Sequence, residues 1–318
     1  MHTIGVDVGG TSVRAGVVDA GGAVLDTAVT PTPADQDALE RAITGVVGEL
    51  AGRHPVRAVG LAVAGFVAND RRTVMFAPHL AWRGTPVADR MAAQLDLPVV
   101  LEHDTNAVAV AEHRLGAARG AQVTVVLTLG TGIGGALLSG GRLFRGGHGV
   151  APELGHLRLV PDGRACPCGR FGCWERYCSG TALSATVVQL LAGGAGASSV
   201  LGGPATDDAR AVTGRRIAAA ARDGDPVALV AMAELAHWLG EGLALVADVY
   251  DPEVVVIGGG VAKSAPLFLD DAREHYASVL TGAGHRPLAR IRTAQLGDEA
   301  GIVGAAILAA ELVAGCVG

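Results

Sequence analysis

Two aspartates stand where a carboxylate is costly or where it could act on a substrate. Asp7 lies inside the apolar run TIGVDVGG, and Asp104 directly follows the apolar run VVLEH. A carboxylate inside a strand must meet a cation or hydrogen-bond donors, so Asp7 is suited to orienting Mg²⁺ or its waters beside a phosphate. Asp104 could accept a proton from a substrate hydroxyl that attacks a phosphoryl group, or it could simply cap the helix that follows it.

Three junctions between an apolar run and a glycine run could hold phosphate groups. Because glycine has no Cβ, its backbone N–H groups can close on phosphate oxygens. Each junction alone is also typical of a tight turn, and the second leads into a strand, which disfavours a Rossmann loop. Together they indicate a bound nucleotide. The candidate residues are Gly9, Gly10 and Thr11, then Gly130, Thr131 and Gly132, then Gly258, Gly259 and Gly260.

The strongest local signal is a cluster of cysteines with one histidine. His156 stands ten residues before Cys166, and Cys168 and Cys173 follow. Three thiolates and one imidazole match a closed tetrahedral Zn²⁺ site, which leaves no open position for chemistry. We therefore predict a structural zinc ion; the alternative is a set of free buried thiols.

Two carboxylates flank this cluster. Glu153 precedes His156 in the run ELGH, and Glu175 follows Cys173 in the run CWE. A zinc loop would fix both carboxylates in space, and carboxylate pairs can hold neighbouring sugar hydroxyls. The alternative is a pair of surface charges.

An α/β succession of elements must position these residues. Residues 3–30 alternate apolar runs with glycine turns, which predicts three strands, and residues 35–53 repeat apolar side chains on one helical face. An apolar helix is predicted at the C-terminal end, packed in the core. The remaining predictions are strands at 56–67, 98–103 and 290–296, helices at 86–96, 105–116 and 226–249, a strand in EVVVIGGGV, and an exposed loop at 193–208.

The sequence contains an internal repeat. The segment TVVLTLGTGIGGALLSGGRLF at 124–144 echoes residues 3–25, displaced by 121 positions, so that Gly9 aligns with Gly130 and Asp7 with Thr128. Repeated supersecondary units indicate a duplicated lobe. The alternative is a chance likeness between two glycine-rich hairpins.

Composition excludes several classes of protein. The chain has 318 residues, of which half are hydrophobic, and a formal charge of −6 with no basic run, which argues against a nucleic-acid partner. The start, MHTIGVDVGG, has no secretory signal pattern, and the apolar segments look too short or too interrupted to span a membrane. We expect a cytoplasmic protein without membrane contact.

The motifs DVGGT, LGTGIGG, ELGH, CPCGRFGCWE and VVIGGGV stand in the order and spacing of one family. The sequence resembles the ROK sugar kinases, and within them the bacterial, actinomycete-type glucokinase group, over essentially the whole chain. The resemblance implies the α/β, two-lobed actin-like ATPase (ribonuclease H-like) fold, with duplicated βββαβα lobes and a cleft between them. It implies a small lobe of residues 1–108 and 299–318, and a large lobe of 109–298 that carries the zinc loop.

The resemblance also implies an activity, namely transfer of the γ-phosphoryl of ATP, with Mg²⁺, to the 6-hydroxyl of a hexose. Asp104 then resembles the general base and Asp7 the organiser of Mg²⁺ and phosphate, while the first two glycine junctions resemble phosphate loops and the third an adenosine-side loop. Family members are commonly dimers or tetramers, which predicts a homodimer or homotetramer. Sugar contacts are implied for Gly65, His103, Asp104, Glu153, His156 and Glu175.

Two positions depart from the family pattern. Ser12 stands where these glucokinases usually have lysine, and Arg14, on the same strand face, could restore the charge. His103 replaces the asparagine that reads the 3- and 4-hydroxyls of the sugar. Neutral imidazole offers one donor and one acceptor, fewer than asparagine. The substrate is therefore either glucose or a 3-modified glucose such as kanosamine (3-amino-3-deoxyglucose), a sugar of antibiotic biosynthesis.

Other functions compete with this interpretation. A ROK-type sugar-sensing repressor would carry an N-terminal DNA-binding domain, which we do not expect because the first strand begins at residue 3. A non-catalytic sugar-binding protein would not need both Asp7 and Asp104. An N-acetylhexosamine kinase is a further alternative, and polyphosphate could replace ATP on similar loops.

Overall fold

The computed structural model describes residues 1–195, 199–202 and 212–315. The chain forms two compact units. Unit 1 comprises Met1–Val126, Ala136–Pro152 and the chain from Ala294 onward, and unit 2 comprises Leu127–Gly135 and Glu153–Thr293. Part of the predicted loop at 193–208 lies outside the described residues. The lobe boundaries that the family resemblance implies stay a prediction.

Runs of strands and runs of helices follow one another along the chain. The described helices are α1 (Gln36–Arg53), α2 (Val87–Leu95), α3 (Asp104–Leu115), α4 (Gly180–Ala192), α5 (Gly214–Arg222), α6 (Pro226–Tyr250), α7 (Leu269–Val279) and α8 (Ala300–Val313). The strands are β1 (His2–Val8), β2 (Ser12–Val18), β3 (Val24–Pro31), β4 (Val56–Val63), β5 (Phe66–Val67), β6 (Val74–Phe76), β7 (Arg83–Thr85), β8 (Val99–His103), β9 (Val123–Leu129), β10 (Ile133–Ser139), β11 (Arg142–Leu143), β12 (Val254–Gly258) and β13 (Arg290–Thr293).

The predicted duplication is confirmed in the two five-stranded sheets. The first has the order β3-β2-β1-β4-β8 and the second the order β11-β10-β9-β12-β13. The boundaries of β9 and β10 are those of β1 and β2 displaced by 121 residues. In both sheets the hairpin strands are antiparallel and the last strand is parallel to its neighbour. The two likenesses together leave no room for a chance resemblance between hairpins.

Helix α8 packs directly on the first sheet. A Cβ on Gly5 of β1 would lie 1.8 Å from the Ile302 carbonyl oxygen, and one on Gly60 of β4 would lie 1.9 Å from that of Ala305. Glycine at both positions lets the helix backbone approach the strands closely, and Ala305 and Ala306 are fully buried there. The predicted apolar C-terminal helix is thus confirmed as part of the core.

The strand predicted at 56–67 is shorter than expected. β4 ends at Val63, and the Gly65 N–H donates to the Val63 carbonyl at 2.9 Å, which turns the chain. A Cβ on Gly65 would also lie 2.7 Å from the Phe76 carbonyl oxygen, so the residue is needed where β6 passes. Beyond this turn, β5, β6 and β7 form a separate three-stranded sheet.

Helix α6 corrects one expectation from the sequence. It has 25 residues, with a mean hydropathy of 1.4 over an 18-residue window, and by length and composition alone it could cross a membrane. Within the structure 56% of that window is buried. The buried face includes Leu235, Leu239 and Leu243, which is the pattern of a helix in a protein core.

Candidate active site

Asp7 and Arg14 lie opposite each other in the first hairpin of unit 1. They pair in register between β1 and β2, and Arg14 Nη2 donates to Asp7 Oδ2 at 2.5 Å. Burial raises the pKa of the Asp7 carboxyl; the hydrogen bond and charge of Arg14 oppose that rise, and the neighbouring Asp104 carboxylate adds to it. From the sequence, Arg14 was expected to supply the positive charge of the lysine that Ser12 replaces. In the structure that charge lies against Asp7.

Asp104 is the first residue of α3, directly after β8. Its Oδ1 accepts hydrogen bonds from the Thr105 N–H at 2.6 Å and from Thr105 Oγ1 at 3.2 Å, and it lies 3.2 Å from His103 Nε2. A capping residue precedes the helix and binds N–H groups two or three residues on, and His103 occupies that position here. The capping alternative for Asp104 is therefore wrong. Its side chain is 39% exposed, so a substrate hydroxyl can reach it.

A buried carboxylate outside the recognised motifs holds this strand end in place. Glu102 is 3% exposed and accepts hydrogen bonds from the His103 N–H at 3.1 Å and from Asn106 Nδ2 at 2.8 Å. Its other oxygen is bound by Arg145 Nε and Nη2 at 2.8 and 2.5 Å, with Arg71 Nε at 3.4 Å. Because both oxygens are engaged, Glu102 fixes the backbone that carries His103. Its position inside an apolar strand was the available sequence signal.

The first glycine junction is a tight hairpin turn. The Gly9 N–H donates to the Ser12 carbonyl at 3.1 Å, and the Gly9 carbonyl accepts from Thr32 Oγ1 at 2.6 Å. A Cβ on Gly10 would lie 3.2 Å from His79 Cβ, so space beside that residue is limited. These contacts account for the turn. The assignment of Gly9, Gly10 and the exposed Thr11 as phosphate ligands stays a prediction.

The second and third junctions contain glycines that the fold does not require. Gly259 has a φ of +83° and a Cβ there would lie 2.5 Å from the Leu129 carbonyl, so the turn explains it. Among the described residues, a Cβ on Gly130 or on Gly260 would meet nothing within 4 Å, and no positive φ is recorded for either. Such open backbone leaves room for a phosphate or a nucleoside. Gly258 ends β12, and Thr131 is exposed.

The four predicted zinc ligands come together in unit 2. Their ligand atoms all lie within 4.8 Å of one another, with Cys168 Sγ 3.6 Å from Cys173 Sγ and Cys166 Sγ 3.7 Å from His156 Nδ1. Burial disfavours the Cys168 thiolate, but hydrogen bonds from the backbone and side chain of Arg170 lower the pKa of Cys168 to about 7. Three sulfurs and one imidazole at this spacing fit Zn²⁺.

Glu175 connects the cluster of His156 and the three cysteines with the second glycine junction. Its Oε1 lies 3.1 Å from Cys166 Sγ and 3.7 Å from His156 Nδ1. A Cβ on Gly132 would lie 2.3 Å from its Oε2, so glycine at 132 is what admits this carboxylate. The Glu175 side chain is only 18% exposed, so Glu175 is not the surface charge that the alternative interpretation required. Glu153 directly precedes the 3-10 helix Leu154–His156, and its carbonyl accepts the His156 N–H at 3.1 Å.

The structure thus groups the predicted residues within each unit. Asp7, His103 and Asp104 lie together in unit 1, whereas Glu175, His156, the three cysteines and Gly132 lie together in unit 2. A duplicated sheet order, with a carboxylate directly after β8 and open glycines after β9 and β12, fits a phosphotransferase of the actin-like ATPase fold. The predicted α/β fold class is confirmed.

Comparison with known proteins narrows this class. The sequence matches the ROK family over residues 3–312. It is 44% identical over 309 residues to a glucokinase of Streptomyces coelicolor, covering 97% of this chain and 98% of that protein. The fold is similar to a crystal structure of a ROK family glucokinase from Streptomyces griseus in complex with glucose and AMPPNP, with a TM-score of 0.87 and 44% identity over 98% of this chain and 100% of that one. A ROK hexokinase from Thermus thermophilus gives a TM-score of 0.83 and 35% identity over 99% and 100%. The chain belongs to the ROK family.

Proposed function

We propose that this protein is an ATP-dependent glucokinase that transfers the γ-phosphoryl group of ATP to the 6-hydroxyl of glucose. The observation that carries the proposal is the placement of Asp104. Its carboxylate stands at the N-terminus of α3, open to solvent and 3.2 Å from the His103 ring. A base in this position can take the proton of the hydroxyl that attacks the phosphoryl group. Its sequence relatives named glucokinase support the choice of glucose.

Asp7 has a separate role at the phosphate end of the reaction. The charge of Asp104 acts on the Asp7 carboxyl, and the Arg14 guanidinium contacts this carboxyl from the neighbouring strand β2. Two carboxylates with one guanidinium leave a net negative site, which fits a divalent cation and its waters. Bound Mg²⁺ would neutralise the phosphate charge during transfer. The open backbone at Gly130 and Gly260 would receive the phosphates and the nucleoside.

The sugar side of the site is proposed to be built on the zinc loop. Glu153 and Glu175 would accept hydrogen bonds from sugar hydroxyls, and His156 would donate one through the ring N–H that does not face the zinc. Gly65 and His103 would add further sugar contacts. A Zn²⁺ ion held by His156 and the three cysteines would act only as a structural cross-link. Because Glu175 contacts Cys166 at 3.1 Å, a fixed zinc loop also fixes this carboxylate.

The test is Asp104→Asn, which keeps the volume and removes the base. We expect kcat for glucose to fall by about 10²- to 10⁴-fold, the usual contribution of a general base. ADP release is measured by a coupled assay, and circular dichroism confirms that the variant is folded. The matched control is Asp37→Asn, an aspartate that is 68% exposed in the first turn of α1. Near-normal turnover by Asp104→Asn would remove the base assignment.

A second substrate, a 3-amino-3-deoxyglucose such as kanosamine, is favoured by one residue. His103 Nε2 faces Asp104, so in the tautomer that donates to this carboxylate His103 Nδ1 is an acceptor for an ammonium group. The test compares kcat/KM for kanosamine and glucose in the wild type and in His103→Asn, alongside N-acetylglucosamine, glucosamine and mannose. If the wild type uses glucose at least as efficiently as kanosamine, glucose is the substrate. Turnover of N-acetylated sugars alone would favour the N-acetylhexosamine kinase.

The assembly, the cellular location and the phosphoryl donor stay predictions. We propose a cytoplasmic homodimer or homotetramer that uses ATP. Light scattering after size exclusion tests the assembly, and replacing ATP with polyphosphate in the assay tests the donor.

A further inference from the structure

A second cluster of side chains that can bind metal ions lies on unit 2. It is distant in sequence from the cysteine cluster and contains no sulfur. It consists of His237 and Glu241 on α6 and His275 on α7. The ligand atoms of the three side chains all lie within 4.8 Å of one another. His275 Nε2 is 2.8 Å from Glu241 Oε1, and the rings of His237 and His275 have centroids 4.4 Å apart. None of the three has a part in the proposed phosphoryl transfer.

The helices present these side chains to one point. His237 and Glu241 are four residues apart on α6, a spacing that places both on one helix face. His275 reaches the same face because Gly240 leaves room for it: a Cβ at 240 would lie 2.7 Å from His275 Cδ2. The backbone of α7 is equally close there, since Tyr276 N would lie 3.0 Å from the same Cβ. The close approach of α6 and α7 thus creates the three-residue cluster.

We propose that His237, Glu241 and His275 bind a divalent first-row transition metal ion. Imidazole and carboxylate together favour Zn²⁺, Ni²⁺, Co²⁺ or Cu²⁺ over the hard ions Mg²⁺ and Ca²⁺. Metal–ligand distances of about 2.0–2.2 Å require the ligand atoms to be closer than 4.8 Å, which small rotations of the three side chains achieve. His237 is exposed and the other two are half-buried, so an ion can enter from solvent and keep water in its remaining positions.

The ion would link α6 to α7 through one ligand of the second helix and two of the first. Such a link exists only in the folded protein, so binding should stabilise unit 2 by mass action. Trp238 offers a built-in reporter, because its ring lies 5.0 Å from the His237 ring. A paramagnetic ion such as Ni²⁺ on His237 should quench the fluorescence of this tryptophan.

The experiment uses the untagged full-length protein with its cysteine site saturated by one equivalent of Zn²⁺. Ni²⁺ is then titrated while heat and tryptophan fluorescence are recorded. We expect one further equivalent of Ni²⁺ to bind saturably, with quenching, and to raise the melting temperature. His237→Ala and Glu241→Gln should each weaken Ni²⁺ binding at least tenfold. His237 is exposed, so its loss should not prevent folding.

The matched control is His285→Ala, an exposed histidine of the same unit whose backbone N–H donates to the Gly282 carbonyl at 2.9 Å. It should leave Ni²⁺ affinity unchanged. If the zinc-loaded wild type takes up no Ni²⁺, or if either His237→Ala or Glu241→Gln binds it as the wild type does, the three side chains form only a hydrogen-bonded cluster and the proposal is overturned.

Discussion

Replacing Gly132 by alanine should damage sugar binding without touching the sugar directly. A Cβ at this position would lie 2.3 Å from Glu175 Oε2, whereas ordinary contact begins at 3.4 Å. The carboxylate must therefore move by about 1 Å, because the Cβ is fixed by the backbone of the loop. A misplacement of about 1 Å can cost about a hundredfold in rate when the displaced group positions a substrate. We expect kcat/KM for glucose to fall by about 10- to 100-fold in Gly132→Ala.

The assay is steady-state ADP release at varied glucose and saturating ATP, followed by varied ATP at saturating glucose. The fall in kcat/KM should come mainly from a higher KM for glucose, since Glu175 is proposed to bind sugar hydroxyls. Gly45→Ala is the matched control: Gly45 is exposed within α1, a Cβ there meets nothing within 4 Å, and alanine favours the helix. It should leave both KM values unchanged. An unchanged KM for glucose in a folded Gly132→Ala protein would refute the role of Glu175.

Three further perturbations test other parts of the structure. The raised pKa of Asp7 means that its contribution to stability is present below the unfolded value of 3.8 and is lost as pH rises through the folded pKa. Asp7→Asn should therefore have a higher urea midpoint than the wild type at pH 7, with the difference shrinking near pH 4; a lower midpoint at pH 7 would contradict this. Glu102→Gln removes the buried carboxylate that binds the half-buried Arg145 guanidinium, and it should cost about 3–5 kcal/mol of unfolding free energy, measured by urea titration. A loss below about 1 kcal/mol would contradict the ion pair's positioning role. Removing zinc with a chelator should raise KM for glucose more than KM for ATP, and elemental analysis should show the loss of one zinc per chain. If the purified protein contains no zinc, the zinc site is excluded.

Local patterns in the sequence predicted most of the fold because they were repeated. The offset of 121 residues between two glycine-rich hairpins gave the boundaries of β9 and β10 from those of β1 and β2. The cluster of His156 with three cysteines was predictable for a similar reason, since Cys166, Cys168 and Cys173 are close in sequence and a short loop must bring them together. Contacts within one short segment leave few alternatives.

Partners that are distant in sequence were not predictable in the same way. Glu102 is bound by Arg145, 43 residues away. A glutamate inside an apolar strand indicates that it needs a partner, but the sequence does not show that the partner is Arg145. Arg14 could have faced a phosphate, but the register of β1 and β2 places it opposite Asp7. The bounds of α6 were predicted to within one residue, but its apolar segment was expected to be too interrupted to span a membrane, whereas by length and composition it could. Register and packing decide these cases.

The central claim is phosphoryl transfer from ATP to the 6-hydroxyl of glucose, with Asp104 as the base. The most direct measurement is nuclear magnetic resonance of the products formed by the purified wild-type protein from ATP, Mg²⁺ and glucose. The predicted result is one ADP per glucose 6-phosphate, formed by the wild type and not detectably by Asp104→Asn on the same time scale. If the wild type forms no glucose 6-phosphate from glucose, the claim is contradicted, even where another hexose is phosphorylated.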